Sequence, residues 1–102
     1  MSFLVELDEF RPEGAVYIYG SDITGRALRG ALAERGILCC AFIDTFAAGE
    51  ADGLTVLRFD QYLQLRDPSD VILIASGAEA VISRNLEAHG IENYFGALQF
   101  ET

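Results

Sequence analysis

The chain has 102 residues, 51% of them hydrophobic, and a formal net charge of −9 from sixteen acidic against seven basic residues. This length is enough for one compact domain and too short for two. The acidic balance disfavours nucleic-acid binding through a basic patch, and no apolar run approaches the ~20 residues that a membrane span requires.

Residues 1–14 are predicted to be a lead-in segment, followed by a single domain over residues 15–102. The apolar run "FLVEL" is ended by Pro12 and Gly14. This segment carries acidic residues where a secretory signal carries basic ones. We therefore expect a cytoplasmic protein.

The first half of the domain contains three apolar, β-rich runs that predict strands at residues 15–19, 37–43 and 54–57. Between the first two, residues 23–35 have leucines and alanines at helical spacing, and Gly36 is placed to end a helix. The segment "AAGEADG" before the third run is predicted to be a polar connection.

The second half predicts two more helices and one or two strands. Asp60 is expected to cap a short helix, "QYLQLR", and "VILIA" is the most strand-like segment of the chain. Ser76 and Glu79 have capping-box spacing at the start of a helix that Gly90 closes. "NYFGALQF" can add a last strand.

This alternation of buried strands and helices predicts an α/β fold in three layers, with a mostly parallel sheet of four to five strands. Right-handed crossovers then give a small Rossmann-like domain with strand order 3-2-1-4(-5). The adjacent cysteines, Cys39 and Cys40, are expected to point to opposite faces of a strand. They predict two small buried residues rather than a disulfide, redox or zinc motif.

Ligands of such sheets bind at the carboxyl ends of the strands, where three loops are expected to meet. The first loop is "GSDITGR", the second begins at the end of the second strand, and the third is "SGAE". The candidate binding residues are Gly20, Ser21, Asp22, Gly25, Arg26, Asp44, Ser76 and Gly77.

The first two loops partly match the dinucleotide-binding pattern G-x-G-x-x-G followed by an acid about 20 residues on. Gly20 and Gly25 take the outer glycine positions, and Asp44 lies nineteen residues after Gly25. At the end of the second strand, the Asp44 carboxylate can accept hydrogen bonds from ribose or sugar hydroxyls.

Asp22 replaces the middle glycine of this pattern. A carboxylate about 4 Å from a phosphate costs on the order of 1–4 kcal/mol, so ordinary NAD binding is not expected. Asp22 can instead cap the following helix, accepting from backbone N–H groups near Thr24 and Gly25. In that role the protein supplies its own anion where a phosphate would bind.

The remaining candidates each have a structural alternative. Arg26 can reach a phosphate from the side, or it is a solvated residue paired with Asp22 or Asp44. Ser76 and Gly77 can offer a hydroxyl and backbone N–H groups, although a capping box accounts for Ser76 without a ligand. The sequence shows no metal-ligand spacing and no nucleophile–base set, so neither a metal nor a catalytic residue is predicted.

Three stretches, "VYIYGSDITGRALRGALAERGILCCAFIDT", "DGLTVLRFDQYL" and "DVILIAS", resemble the Rossmann-like N-terminal domains of bacterial surface-polysaccharide enzymes. These domains include the nucleotide-sugar-binding domain of PglD-type sugar acetyltransferases and the leading domain of CapD-type nucleotide-sugar dehydratases. The resemblance covers roughly residues 15–90. The matching positions are Tyr19-Gly20, Gly25-Arg26, Phe42-Ile43-Asp44, Gly53-Leu54 and Ser76.

The resemblance implies a domain that holds a nucleotide sugar while a separate domain performs catalysis. It assigns binding roles to Gly20, Gly25, Asp44 and Ser76. The chain departs from the family pattern at Asp22, and at Thr45, where relatives have a second acid.

Two kinds of function therefore stay open. The first is a non-catalytic domain that binds a nucleotide or nucleotide sugar, in surface-polysaccharide metabolism, with the exact ligand unknown. The alternative is a ligand-free interaction or oligomerisation module with a degenerate loop, or an accessory subunit of a partner enzyme. For the alternative, the apolar "NYFGALQF" is expected to be buried in a homodimer.

Overall fold

A computed structural model of the protein describes residues 9–97. The predicted apolar run of the lead-in segment and the end of "NYFGALQF" lie outside these residues. The elements are β1 (Val16–Tyr19), α1 (Ile23–Glu34), β2 (Cys39–Asp44), β3 (Gly49–Ala51), β4 (Leu54–Arg58), α2 (Phe59–Leu65), β5 (Val71–Ile74), α3 (Glu79–Ala88) and β6 (Tyr94–Gly96).

The strands form one six-stranded sheet in the order β3-β4-β2-β1-β5-β6. Every neighbouring pair is parallel except β3 and β4, which are antiparallel. The predicted α/β class and mostly parallel sheet are confirmed. The predicted strand number and order are wrong, because β3 adds a strand at one edge of the sheet.

The additional strand lies in "AAGEADG", which the sequence alone predicts to be a polar connection. Asp52 and Gly53 form its turn to β4, with φ of 51° and 76°. Positive φ at both residues of a two-residue hairpin is typical of a type I′ turn, which Asp-Gly favours. Ala51 therefore pairs with Leu54, and the polar segment becomes an edge strand.

The sheet is covered on both faces. On one face, Leu28 and Leu32 of α1 pack in a cluster that includes Ile18 and Phe42 of the strands. On the other face, α2 and α3 contribute Tyr62, Ile82 and Leu86 to a cluster with Tyr19, Ile43 and Ile74. Successive strand residues point to opposite faces, which gives a three-layer arrangement. The helices of residues 9–97 are all too short or too polar to cross a lipid bilayer.

The ends of α1 follow the sequence prediction. Asp22 is the N-cap, and its side chain accepts from the backbone N–H of Gly25, with a long separation of 3.4 Å. Gly36, with φ of 76°, follows the last turn, and Ile37 N donates to Leu32 O at 2.9 Å. This is the hydrogen-bond pattern of a glycine-terminated helix.

The predicted N-caps of the other two helices are wrong, whereas Gly90, with φ of 75°, follows the last turn of α3 as predicted. Helix α2 begins at Phe59 with Arg58 as N-cap, because the Gln61 side chain accepts from Arg58 N at 2.9 Å and Asp60 lies inside the first turn. Helix α3 begins at Glu79 with Ala78 as N-cap. The predicted Ser76–Glu79 capping box does not form, since Ser76 Oγ accepts from Ala78 N, at 3.2 Å, within the preceding turn.

Cys39 and Cys40 are free thiols on opposite faces of β2, as expected. Cys39 is buried, but Cys40 is exposed, so the prediction that both are buried is wrong for Cys40. Burial raises the pKa of the Cys39 thiol to about 11, although the thiol also contacts Ala41 O.

The raised pKa of Cys39 predicts a loss of stability at alkaline pH, where the buried thiol must ionise. The unfolded chain releases the thiol proton near pH 9, whereas the folded protein holds it up to about pH 11. Stability is therefore fully present below pH 9 and falls as pH rises through this interval, by about 2 kcal/mol at pH 11. Urea unfolding at pH 8 and pH 11 should show this decrease in the free energy of unfolding. In Cys39→Ala the decrease between the two pH values should be smaller by about 2 kcal/mol. An equal pH dependence in both proteins would contradict the prediction.

Candidate functional site

A cavity of about 290 Å³ opens at the carboxyl edge of the sheet. It lies between the loop after β1, the loop after β2 and the first turns of α3. Its lining residues are Tyr19, Gly20, Asp44, Thr45, Phe46, Ser76, Ala78, Val81, Ile82 and Asn85. The three predicted loops therefore meet at one place, although their residues do not all face the cavity.

Gly20 and Gly25 are required by the backbone itself. Gly20 has φ of 123°, and a Cβ at this position would lie 2.6 Å from Ala75 O. Gly25 is buried where α1 crosses the end of β1, and a Cβ there would overlap the carbonyl oxygen of Gly20. Both glycines thus have a packing role, and only Gly20 also lines the cavity.

Asp44 is held in position by its own loop. Its Oδ1 accepts from Phe46 N at 3.0 Å and Ala47 N at 3.1 Å, and its Oδ2 accepts from Ser21 Oγ at 3.2 Å. A carboxylate has about four acceptor positions, so these three bonds leave it capacity for a ligand hydroxyl. Ser21 connects the first and second loops through this contact.

Arg26 is not among the residues that line the cavity. Its Nε donates to Ser21 O at 3.3 Å, and its Nη1 lies 3.8 Å from an Asp52 carboxylate oxygen. The predicted partner, Asp22 or Asp44, is therefore wrong, because the unpredicted β3–β4 turn places Asp52 beside α1. Arg29 holds the same turn by donating to Asp52 O at 2.8 Å.

The floor of the cavity carries hydroxyl groups. Tyr19 is 2% exposed, and its hydroxyl lies 2.9 Å from Thr45 Oγ1. Burial raises the pKa of Tyr19, with the Asp44 carboxylate acting in the same direction and the Thr45 hydrogen bond opposing them. The phenol is therefore neutral at physiological pH, and the pair can donate to or accept from a polar ligand.

The other side of the cavity is apolar and was not predicted. Val81 and Ile82 of α3 line it, and Phe46 lies at its mouth with 90% of its surface exposed. Asn85 adds an exposed amide one helical turn beyond Val81. Val81 and Asn85 are spaced i, i+4, which places them on one face of α3. This spacing is the sequence pattern that could have indicated these two lining residues.

The predicted binding residues divide into two groups. Gly20, Asp44 and Ser76 line the same cavity, and Ser21 contacts Asp44 beside it. The structure gives the others different places: Asp22 caps α1, Gly25 is buried, Arg26 faces the β3–β4 turn, and Gly77 is not among the lining residues. Within residues 9–97, no group of three or more His, Cys, Asp or Glu side chains could hold a metal ion.

A larger cavity, of about 520 Å³, lies at the amino ends of the strands, between the segment that precedes β1 and the connection from α1 to β2. Two arginines line it, and both donate to backbone carbonyls: Arg11 to Phe10 O and Arg35 to Ala31 O, each at 2.9 Å. Parallel sheets bind ligands at their carboxyl edge, so we take the smaller cavity as the candidate site despite its size.

No protein-family model, curated protein or solved structure matches this chain. The resemblance to nucleotide-sugar-binding domains therefore stays a prediction.

Proposed function

We propose that this chain is a Rossmann-like domain, without chemistry of its own, that binds a nucleotide or nucleotide sugar at the carboxyl edge of its sheet. A role in surface-polysaccharide metabolism follows from the sequence resemblance alone. The ligand would place its ribose or sugar hydroxyls against Asp44 and the Tyr19–Thr45 pair, with its ring beside Val81 and Phe46.

The position of the cavity is the observation that carries this proposal. β1 lies in the middle of the sheet, with β2 on one side and β5 on the other. The chain first builds the β2 side and then crosses to the β5 side, so the strand order reverses at β1. Open α/β sheets bind ligands in the crevice at such a reversal, and the cavity joins the loops that follow these three strands.

Ligand titration tests the proposal. We expect nucleosides, nucleotides or nucleotide sugars at millimolar concentration to cause saturable shifts of the backbone amide NMR signals of Gly20, Thr45 and Ser76. Asp44→Ala should weaken binding about tenfold, because it removes a charge-assisted hydrogen bond worth about 1.5 kcal/mol or more.

Glu50→Gln is the matched control, because it removes one negative charge from the exposed strand β3 and leaves the cavity wall unchanged. It should bind like the unchanged protein. Absence of saturable shifts with any member of the ligand panel would contradict the proposed function.

A second candidate is a protein-interaction module, favoured by exposed apolar side chains at the same edge. Phe46 is 90% and Ile23 81% exposed. By contrast, Tyr94 and Ala97 of the predicted dimer segment are buried in the core of their own chain, at 2% and 0% exposure. A homo-oligomer or partner complex would therefore use Phe46 and Ile23. For a homo-oligomer, light scattering should give a larger molar mass for the unchanged chain than for Phe46→Ser. Equal monomeric masses would count against a homo-oligomer.

A further inference from the structure

The charge around the cavity is negative. Among the described residues that line it, Asp44 alone is charged. Asp22, which is exposed, lies two residues beyond Gly20 on the same loop. Any ligand that enters beside Gly20 therefore meets negative charge, and the part of the wall formed by residues 9–97 supplies no cation to offset it.

The protein places a carboxylate of its own at the position where phosphate groups ordinarily bind. In nucleotide-binding turns, phosphates accept hydrogen bonds from the N-terminus of the first helix. Here the Asp22 carboxylate accepts from Gly25 N at 3.4 Å, and Arg26, in the first turn of α1, contacts Asp52 and Ser21 O. A phosphate at this helix end would replace a bond that the protein makes itself and would be repelled by Asp22 and Asp44.

The size and chemistry of the cavity fit the uncharged part of a nucleotide. Its volume of about 290 Å³ is just below the ~300–1,000 Å³ typical of ligand sites. It offers an apolar side at Val81 and Ile82, an aromatic ring at its mouth in Phe46, and hydroxyl and amide groups at Thr45 and Asn85. A base with its ribose can use all of these contacts, whereas a diphosphate can use few of them.

We infer that the cavity recognises the nucleoside part of its ligand and that Asp22 selects against phosphate at the neighbouring helix end. This inference rests on the proposed function and narrows it. The uncharged ring system supplies the affinity, and 5′-phosphates reduce it. Asp22 is then the residue that sets ligand selectivity, although it does not line the cavity.

Calorimetric or NMR titrations at low ionic strength test the inference, with uridine and adenosine against their 5′-diphosphates. We expect the better-bound nucleoside to bind about tenfold more tightly than its diphosphate. Asp22→Asn should reduce this preference to about twofold, because asparagine caps a helix as well as aspartate but carries no charge. Raising the salt concentration should also reduce the preference of the unchanged protein.

Glu13→Gln provides the matched control. Glu13 is exposed just before β1, at the opposite edge of the sheet, so its substitution changes net charge equally without changing the cavity. The preference should stay about tenfold in this variant. Tighter binding of the diphosphates to the unchanged protein would overturn the inference and leave the proposed function intact. An unaltered preference in Asp22→Asn would overturn the role of Asp22, and failure of every ligand to bind would overturn both proposals.

Discussion

Gly25→Ala is expected to destabilise the protein by about 3 kcal/mol and to lower its melting temperature by about 10–20 °C. Gly25 is buried where α1 crosses β1, and an added Cβ would overlap the carbonyl oxygen of Gly20. That oxygen belongs to the backbone of the loop, so it cannot move aside as a side chain can. The helix must instead shift outward, separating Leu28 and Leu32 from the core cluster they share with Ile18.

Gly30→Ala is the matched control, because it makes the same change in the same helix. Gly30 is exposed, and among residues 9–97 no atom outside its own part of the helix lies within 4 Å of an added Cβ. Alanine is favoured over glycine inside a helix, so this variant should gain about 0.5–1 kcal/mol. Thermal and urea unfolding of both variants measure the contrast. A gain of stability in Gly25→Ala would show that α1 does not approach β1 this closely.

The elements that the sequence predicted well are those that local rules determine. Helix α1 begins after Asp22 and ends before Gly36, and a side-chain cap and a residue with positive φ are recognisable without tertiary context. "VILIA" was predicted as a strand, and the four residues of β5 are all buried, as a central parallel strand requires. The start of α1 and the end of β5 bound two of the loops that line the candidate site.

The elements that were predicted wrongly depend on contacts between segments. The residues of β3 are a glycine, a glutamate and an alanine, half-buried or exposed, so their composition indicates a loop, and only pairing with β4 makes them a strand. The Asp-Gly turn was the available local indication. The polar residues near the starts of α2 and α3 do not mark where these helices begin. Ala78 precedes α3 without a side-chain cap, and at α2 the Gln61 side chain accepts from Arg58 N.

The candidate site was predictable in its position and only partly in its residues. Three strand ends had to converge, so Gly20, Asp44 and Ser76 were found from topology. Phe46 and Val81 were missed because an apolar residue in a loop or on a helix is ordinarily assigned to the core. Only the packing of α3 beside the second loop shows that these two stay exposed, at 90% and 53%.

Asp70→Ala is the second substitution with a large expected effect. It should lower the free energy of unfolding by about 3 kcal/mol. Asp70 is 6% exposed, and its Oδ2 accepts from Tyr62 Oη at 3.0 Å and from Asp67 N at 2.9 Å. Removal of the carboxylate leaves two donors without their acceptor, and each such loss costs about 1–3 kcal/mol. It also detaches α2, which carries Tyr62, from the turn that precedes β5. Burial, and next the hydrogen bond to Asp70, raises the pKa of Tyr62, so the phenol remains a donor across the neutral range.

Tyr62→Phe and Asp70→Asn separate the contributions of this contact. The phenylalanine variant keeps the ring in the core and removes only the hydroxyl, so it should lose about 1 kcal/mol. The asparagine variant keeps an oxygen that can accept from both donors and should be less damaging than alanine. Urea unfolding of the single variants and of Tyr62→Phe with Asp70→Ala gives the coupling energy, which we expect to be about 1 kcal/mol. Additive losses would show that Asp70 acts through Asp67 N alone, and the joining of α2 to β5 would then rest on packing between side chains.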